Sequence, residues 1–372
     1  MISTRKRKMG LIEEVILDRN FPRRFCIRND FCLRTPRKLE IERINGGRLD
    51  ILDAWYERLR ERIEEKHYHP SLISNMDETM LSSKDNRIKV IIPLERKTGV
   101  HCSNKEREHI TLIITLFGDA TMGKTGVILP LQNLPFDLEE LAASYSWGGT
   151  SSGWISREIF LGWVQNVFIP EINRRRTILH QPDAPALLLL DDHDSRECPE
   201  ALNLLKSAKI DVFTFEAHVT HICQPLDVGF FSSFKRHLTR LKWQLRGCIG
   251  CERRKKMLLL AKEALHIASY PDHLLGSWKR VGIIPFNKDI VLKGELISHV
   301  PSNPAKKKNQ GRLKIAGTLL SDGAMIEAIQ KRDAAIQAKK AAKGLKKRGR
   351  PRKDQNEKGK EPESRDEAEG EK

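Results

Sequence analysis

Between residues 49 and 66 the apolar positions Leu52, Trp55, Leu59 and Ile63 recur at steps of three and four, and Pro70 follows shortly after. That spacing predicts an amphipathic helix that stops before the proline. From about residue 71 to 230 the pattern changes to short continuous apolar runs bounded by polar and turn residues, which is how buried strands read. Such runs occupy residues 71–78 (SLISNMDE), 110–117 (ITLIITLF), 126–131 (GVILPL), 186–191 (ALLLLD) and 211–216 (DVFTFE). Helical spacing returns at 156–176, where Ile159, Phe160, Trp163, Val164 and Val167 follow Ser156, a natural N-cap, and again briefly at 199–208. The order strand, strand, strand, helix, strand, helix, strand predicts an α/β domain with a mixed sheet.

A further stripe follows at 229–247, with Phe231, Phe234, Leu238, Leu241 and Leu245 on one face and Lys235, Arg236, Arg240 and Lys242 largely off it. This predicts a core helix with a solvated basic face. Beyond about residue 301 the chain becomes polar. Residues 323–344 could form a loose helix, and 345–372 are charged with almost no large apolar groups, so that tail is expected to be disordered.

Charge changes the picture more than size does. The chain has 372 residues and a formal net charge of +17, with a pI near 9.6. A polyanion is therefore the expected partner, DNA first, with no membrane role because no apolar run approaches the ~20 residues a span requires. Seven cysteines in a chain without a signal-peptide core point to reduced thiols. Arg5–Lys8 (RKRK) has the character of a nuclear import signal, which sets the expected location as the nucleus.

Residues 118–125, GDATMGKT, fit the phosphate-cradling pattern G-x-x-x-x-G-K-[ST]. A phosphate loop needs a helix to begin at the Lys-Thr pair, aiming its N-terminus at the ligand. Here Gly126, Val127, Ile128 and Pro130 follow, and these oppose a helix. The segment is expected to be a hairpin turn with Lys124 in solvent.

Three carboxylates stand out by position. Asp77 ends the first apolar run, Asp191 follows four leucines, and Asp227 precedes the basic helix. Carboxylates at strand ends lie where open α/β sheets put their sites, although any one alone could be an N-cap or loop residue. Together they suggest a site for Mg²⁺ or Mn²⁺, ions that take oxygen ligands and leave positions open to phosphate. Two such ions could serve phosphodiester cleavage.

The stretches NMDET, LLLLDDHDS, HVTHICQPLDVGFFSSFKRHL and SWKRVGIIPFN resemble motifs of the DDE endonuclease domain of pogo- and Tigger-type transposases. These belong with the Tc1/mariner elements, centromere protein B and jerky-like proteins. The resemblance covers roughly residues 70–290. It implies an RNase H-like fold and a metal-dependent nuclease that cleaves and transfers DNA strands. It carries the three metal-binding, catalytic acids over to Asp77, Asp191 and Asp227, and makes a homodimer on DNA a further expectation. A domesticated, non-catalytic DNA-binding descendant is the alternative.

The chain departs from these relatives in two places. Arg196 stands where they commonly have His, and the first 70 residues are too few for their two helix-turn-helix modules. The expected organisation is thus a helical remnant of a DNA-binding region (1–70), the endonuclease domain (71–290), a linker and helix (291–344) and a charged tail (345–372).

Two other signals bear on function. KRGRPRK at 347–353 is similar to an AT-hook, in which Arg348, Arg350 and Arg352 would enter an A·T-rich minor groove. Lys235 and Arg236 are further candidates for DNA backbone contacts. Cys248 and Cys251, with His218 and His221, have the residue types of a zinc site, though a single C-x-x-C is weak support. Asp192, Asp194 and Glu216 are additional acids near the expected metals.

Overall fold

A computed structural model describes residues 3–8, 11–16, 20–33, 43, 47–81, 109–131, 136–141, 143–151, 153–294, 297, 313 and 315–347. At the N-terminal end β1 (Ser3–Lys8) and β2 (Leu11–Ile16) pair antiparallel, and α1 (Phe21–Arg28) follows. The helix expected from its apolar spacing forms as α2 (Leu49–Lys66) and ends at His67 in a left-handed conformation. It buries Leu52, Trp55, Tyr56 and Leu59.

The main sheet contains β3 (Ile73–Leu81), β4 (Ile110–Phe117), β5 (Gly126–Leu129), β6 (Ser146–Gly149), β7 (Ala186–Leu190) and β8 (Ile210–Thr214), in the order β6-β5-β4-β3-β7-β8. β3, β4 and β5 run antiparallel, while β7 and β8 continue parallel from β3. An antiparallel meander joined to two parallel strands on the far side of its first strand is the RNase H-like arrangement. β6, which the apolar pattern did not announce, extends the sheet parallel to β5.

Alternation along the strands makes two apolar layers, one on each face. Ile73, Leu81, Leu112, Ile114, Leu187 and Leu189 join one core; Met76, Ile113, Ile128, Leu188 and Leu190 join the other. The second core is covered by α3 (Arg157–Trp163), a π-helical turn (Val164–Phe168), α4 (Ile169–Ile178) and α5 (Pro199–Ser207). Ser156 caps α3 as expected, its hydroxyl accepting from the Ile159 N–H at 3.3 Å.

The first core is covered by α2 and by helices that follow β8. These are the short α6 (Thr220–Cys223), a π-helical turn (Leu226–Phe230), α7 (Phe231–Leu241), α8 (Gly250–Ala268), α9 (Pro271–Arg280) and the short α10 (Asp289–Leu292). α2 is bound to this layer by polar links as well. Trp55 Nε1 donates to Thr214 O at 2.9 Å and the Tyr56 hydroxyl to Val281 O at 2.7 Å.

The last described helix, α11 (Gly323–Lys347), begins inside the second core through Ile326 and Ile329. The segment before it lies along the free edge of β8: Thr214 N–H donates to Thr318 O at 3.0 Å and Leu320 N–H to Val212 O at 2.8 Å. A strand edge left open is a template for wrong pairing, and here the chain covers its own.

The phosphate-loop pattern resolves as the β4–β5 hairpin turn, with Lys124 exposed. Both of its glycines sit in tight space. A Cβ on Gly118 would meet Ile284 Cδ1 at 2.3 Å and Pro70 O at 2.7 Å, and one on Gly123 would meet Thr115 Cβ at 3.2 Å. Packing explains the glycines without a nucleotide.

Candidate metal centre

β3 pairs with β7 in a parallel register of Ile73 with Leu187, Ser74 with Leu188 and Asn75 with Leu189. Continued by two residues, the register sets Asp77 against Asp191. Asp77 lies mid-strand, because β3 runs on to Leu81 in its pairing with β4. That corrects its expected place at the end of the run. Asp191 is the first residue past β7, so the two carboxylates meet where the parallel neighbour stops. Ligand oxygens of Asp77, Glu78 and Asp191 all lie within 4.8 Å of one another.

Buried amides tie this pair to the third acid. Asn75, fully buried, donates from Nδ2 to Leu189 O at 3.1 Å and accepts the Leu226 N–H on Oδ1 at 3.2 Å. It therefore joins β3, β7 and the segment carrying Asp227. Gln224, also fully buried, donates from Nε2 to Asp77 Oδ2, and the Glu78 N–H donates to Asp77 Oδ1 at 2.7 Å.

Asp227 stands in the Leu226–Phe230 π turn, an irregularity common at functional sites. The residue as a whole is exposed, but its carboxyl end is closed in by protein; it lies outside the three-residue group. It is nonetheless close enough for its charge to act on Asp77 and to feel that of Asp191. Gly229 makes the turn fit, since a Cβ there would lie 2.1 Å from Ser277 Oγ.

The electrostatics are those of crowded acids. Burial first, and then the charges of Asp191, Glu78 and Asp227, raise the Asp77 pKa well above the carboxylate range. Asp227 is also raised, by burial and by Asp191, against the opposing effects of a Thr220 hydrogen bond and of Lys235 and Arg43.

Arg196 is the one guanidinium bonded into the described acid group, and it is 1% exposed. Its Nη2 donates to Glu78 Oε2 at 2.7 Å and its Nε to Asp191 Oδ1 at 3.2 Å. Burial alone would weaken its charge, but Glu78 and Asp191 outweigh burial and raise its pKa.

The donor set fits Mg²⁺ or Mn²⁺. It consists of carboxylate oxygens, which suit hard cations and lack the sulfur and imidazole typical of zinc. Glu78 Oε1 is buried without a hydrogen-bond partner, and the acids repel one another.

Among the described residues no second group of this kind forms, so Cys248, Cys251, His218 and His221 make no zinc site. Asp192 and Asp194 are exposed outside the group, and Glu216 pairs instead with Arg58 at 2.8 Å. Lys235 and Arg236 are exposed on α7, with Lys235 Nζ 5.4 Å from the Phe231 ring. Lys242 departs from the expected solvated face and is buried. Arg348, Arg350 and Arg352 lie outside the described residues.

Sequence reading passed over Glu78. Its signal was adjacency to Asp77 beside a strand that ends early, which only the register reveals.

Residues 126–266 match the family model described as DDE superfamily endonuclease, a span that holds Asp191 and Asp227 and begins after Asp77. The match covers less than half of the chain. A protein named MFS-type transporter clz9, from Cochliobolus lunatus, is 25% identical over 168 residues, which are 44% of this chain and 18% of that protein. The chain thus spans less than a fifth of that relative. Among the described residues no helix is long and apolar enough to cross a membrane.

Among solved structures, the Mos1 mariner paired-end complex with Mn is 13% identical, covers 72% of this chain and 71% of that one, and has a TM-score of 0.42. The catalytic domain of Mos1 mariner transposase is 12% identical, covers 63% of this chain and 96% of that one, and has a TM-score of 0.33. At such scores the fold assignment rests on strand order and pairing.

Proposed function

We propose that the chain is a divalent-metal-dependent DNA endonuclease of the transposase kind, cleaving DNA strands and joining them to new positions. The observation that carries this reading is the β3–β7 register, which sets Asp77 beside Asp191 at a strand end, with Asp227 near enough to feel the charge of Asp191. Asp77, Asp191 and Asp227 would hold Mg²⁺ or Mn²⁺. Bound there, the metal would polarise the scissile phosphate and acidify the attacking water or hydroxyl.

The protein's own groups do the rest. Gln224 and the Glu78 N–H fix the Asp77 carboxylate, and Asn75 fixes the spacing between β7 and the turn that bears Asp227. Lys235 and Arg236, exposed on the helix that leaves that turn, would hold backbone phosphates on either side of the cut. Nuclear residence, pairing of two copies on DNA, and minor-groove contacts by Arg348, Arg350 and Arg352 belong to the same proposal. The pogo and Tigger lineage is likewise part of it, supported by the quoted motifs.

The test is nicking of supercoiled DNA with Mg²⁺ or Mn²⁺. Wild type should nick only with metal, and Asp191→Asn should be slower by more than ~100-fold. Equal rates would refute the assignment. A second reading, a DNA-binding protein that keeps the fold without cutting, is favoured by Arg196, which already pairs with two of the acids. It predicts DNA binding with no metal-dependent nicking by wild type.

A further inference from the structure

Resting on the reading of these acids as a metal centre, we propose that Arg196 is a positioning residue: a permanent cation that orients Asp191 and keeps Glu78 from the metal.

Every nitrogen of the guanidinium is engaged. Nη2 donates to Glu78 Oε2 at 2.7 Å and lies 3.1 Å from Asp191 Oδ1, Nε donates to Asp191 Oδ1 at 3.2 Å, and Nη1 donates to Ser195 Oγ at 3.0 Å. The group also sits 5.4 Å from the centre of the Phe160 ring. The turn at Asp194–Arg196, capped by His193, folds the chain back so that Arg196 reaches Asp191.

Strand alternation decides which side it approaches from. Asp77 shares the sheet face of Ile73 and Leu81, whereas Glu78 shares that of Met76, in the core that also contains Phe160. Arg196 therefore grips Asp191 from the face opposite Asp77 and its partner Gln224. Asp191 has one oxygen committed and the other left to offer.

Glu78 spends Oε2 on the guanidinium, and its Oε1 is buried without a partner. A buried carboxylate and a buried guanidinium each need the other, because removing either strands a charge in a low-dielectric site. With Asp227 counted, four carboxylates and one guanidinium leave three formal negative charges, of which one divalent ion neutralises two. Arginine suits this role because it cannot lose its proton in a protein.

Titrating Mn²⁺ alone into the full-length chain, with the free-ion EPR signal as readout and thermal unfolding alongside, tests this directly. R196Q leaves the acids without their guanidinium and should bind Mn²⁺ about tenfold more tightly while nicking DNA about tenfold more slowly. E78Q should bind about tenfold more weakly. The E78Q/R196Q double variant restores the charge count, so its affinity should return to within about threefold of wild type while nicking stays slow. R196K keeps the charge without the three-way grip, and should match wild type in affinity but not in nicking.

If wild type takes up no Mn²⁺, the metal reading itself fails. If wild type binds and R196Q binds no more tightly, only this proposal falls. Should R196Q unfold, R196K decides: nicking at the wild-type rate overturns the positioning role, and slow nicking at wild-type affinity supports it.

Discussion

Arg175 closes the β4–β5 turn from below. It is 5% exposed, stacks 3.4 Å from the centre of the Phe117 ring, and donates to Asp119 Oδ2 at 2.9 Å, Thr121 Oγ1 at 2.7 Å and Glu171 Oε1 at 2.7 Å. Truncating it removes the stacking on Phe117 and the bonds to Asp119 and Thr121, while Glu171 keeps Arg174, so Arg175→Ala should lower stability by about 2 kcal/mol in urea unfolding. Lys124→Ala, at an exposed position of the same turn, should stay within about 0.5 kcal/mol of wild type and leave ATP binding absent in both. Detectable ATP binding that the substitution abolishes would reinstate the phosphate-loop reading. The thiols give a second check at this scale. Burial pushes Cys223 up to about 12, and Cys198 is also buried and raised, whereas Cys251 is exposed. Iodoacetamide at pH 8 should therefore modify Cys251 in the native protein and reach Cys223 and Cys198 only after denaturation; early labelling of Cys223 would contradict the packing. Asp77 and Asp191, which the structure brings together, were legible because a carboxylate beside an apolar run is conspicuous. Glu78 was not, and Arg196 stood out only as a departure from the family pattern, since their importance lies in meeting across 118 residues. Nor was the burial of Lys242, which depends on what packs over the helix end.

The strands with long apolar runs were legible as elements, because a run buried on both faces needs no partner to be recognised. β6 was not. It is four residues, Ser-Trp-Gly-Gly, and becomes a strand only by pairing with β5 from Gly126–Ser146 to Leu129–Gly149. α8 was passed over for a different reason. Met257, Leu258, Ala261, Ala264, Leu265 and Ala268 form a wide stripe at helical spacing, behind a charged first turn and a C-x-x-C. The π turn at Leu226–Phe230 lies beyond any spacing rule, yet it is what presents Asp227. Gly229 there is pressed against Ser277, so Gly229→Ala should cost about 1–3 kcal/mol. It should also slow DNA nicking under conditions where the variant remains folded. A variant as stable and active as wild type would mean that the α9 contact does not set the turn.

Two apolar layers and a sheet between them account for most of the described residues from Leu49 onward, and the α/β class was legible from element order alone. How far the domain extends was less so. The helix at 323–347, expected to be loose, starts with Ile326 and Ile329 buried beneath α5, and Leu320 is buried just before it. Each such side chain contributes about 1.5–3 kcal/mol, so together they approach the total stability of a domain. A chain stopped after residue 314 should therefore aggregate or unfold at low denaturant, while one stopped after 347 should melt as the full chain does. Equal melting of the two would show that the covered β8 edge is dispensable. The same geometry bears on how the protein comes off the ribosome. β8 is made long before residues 317–320 that shield it, and α2, made first of all the core helices, waits for Thr214 and Val281. During synthesis the nascent sheet therefore carries a bare edge for about a hundred residues, an interval in which chaperone binding or pairing with a neighbouring nascent chain competes with completion.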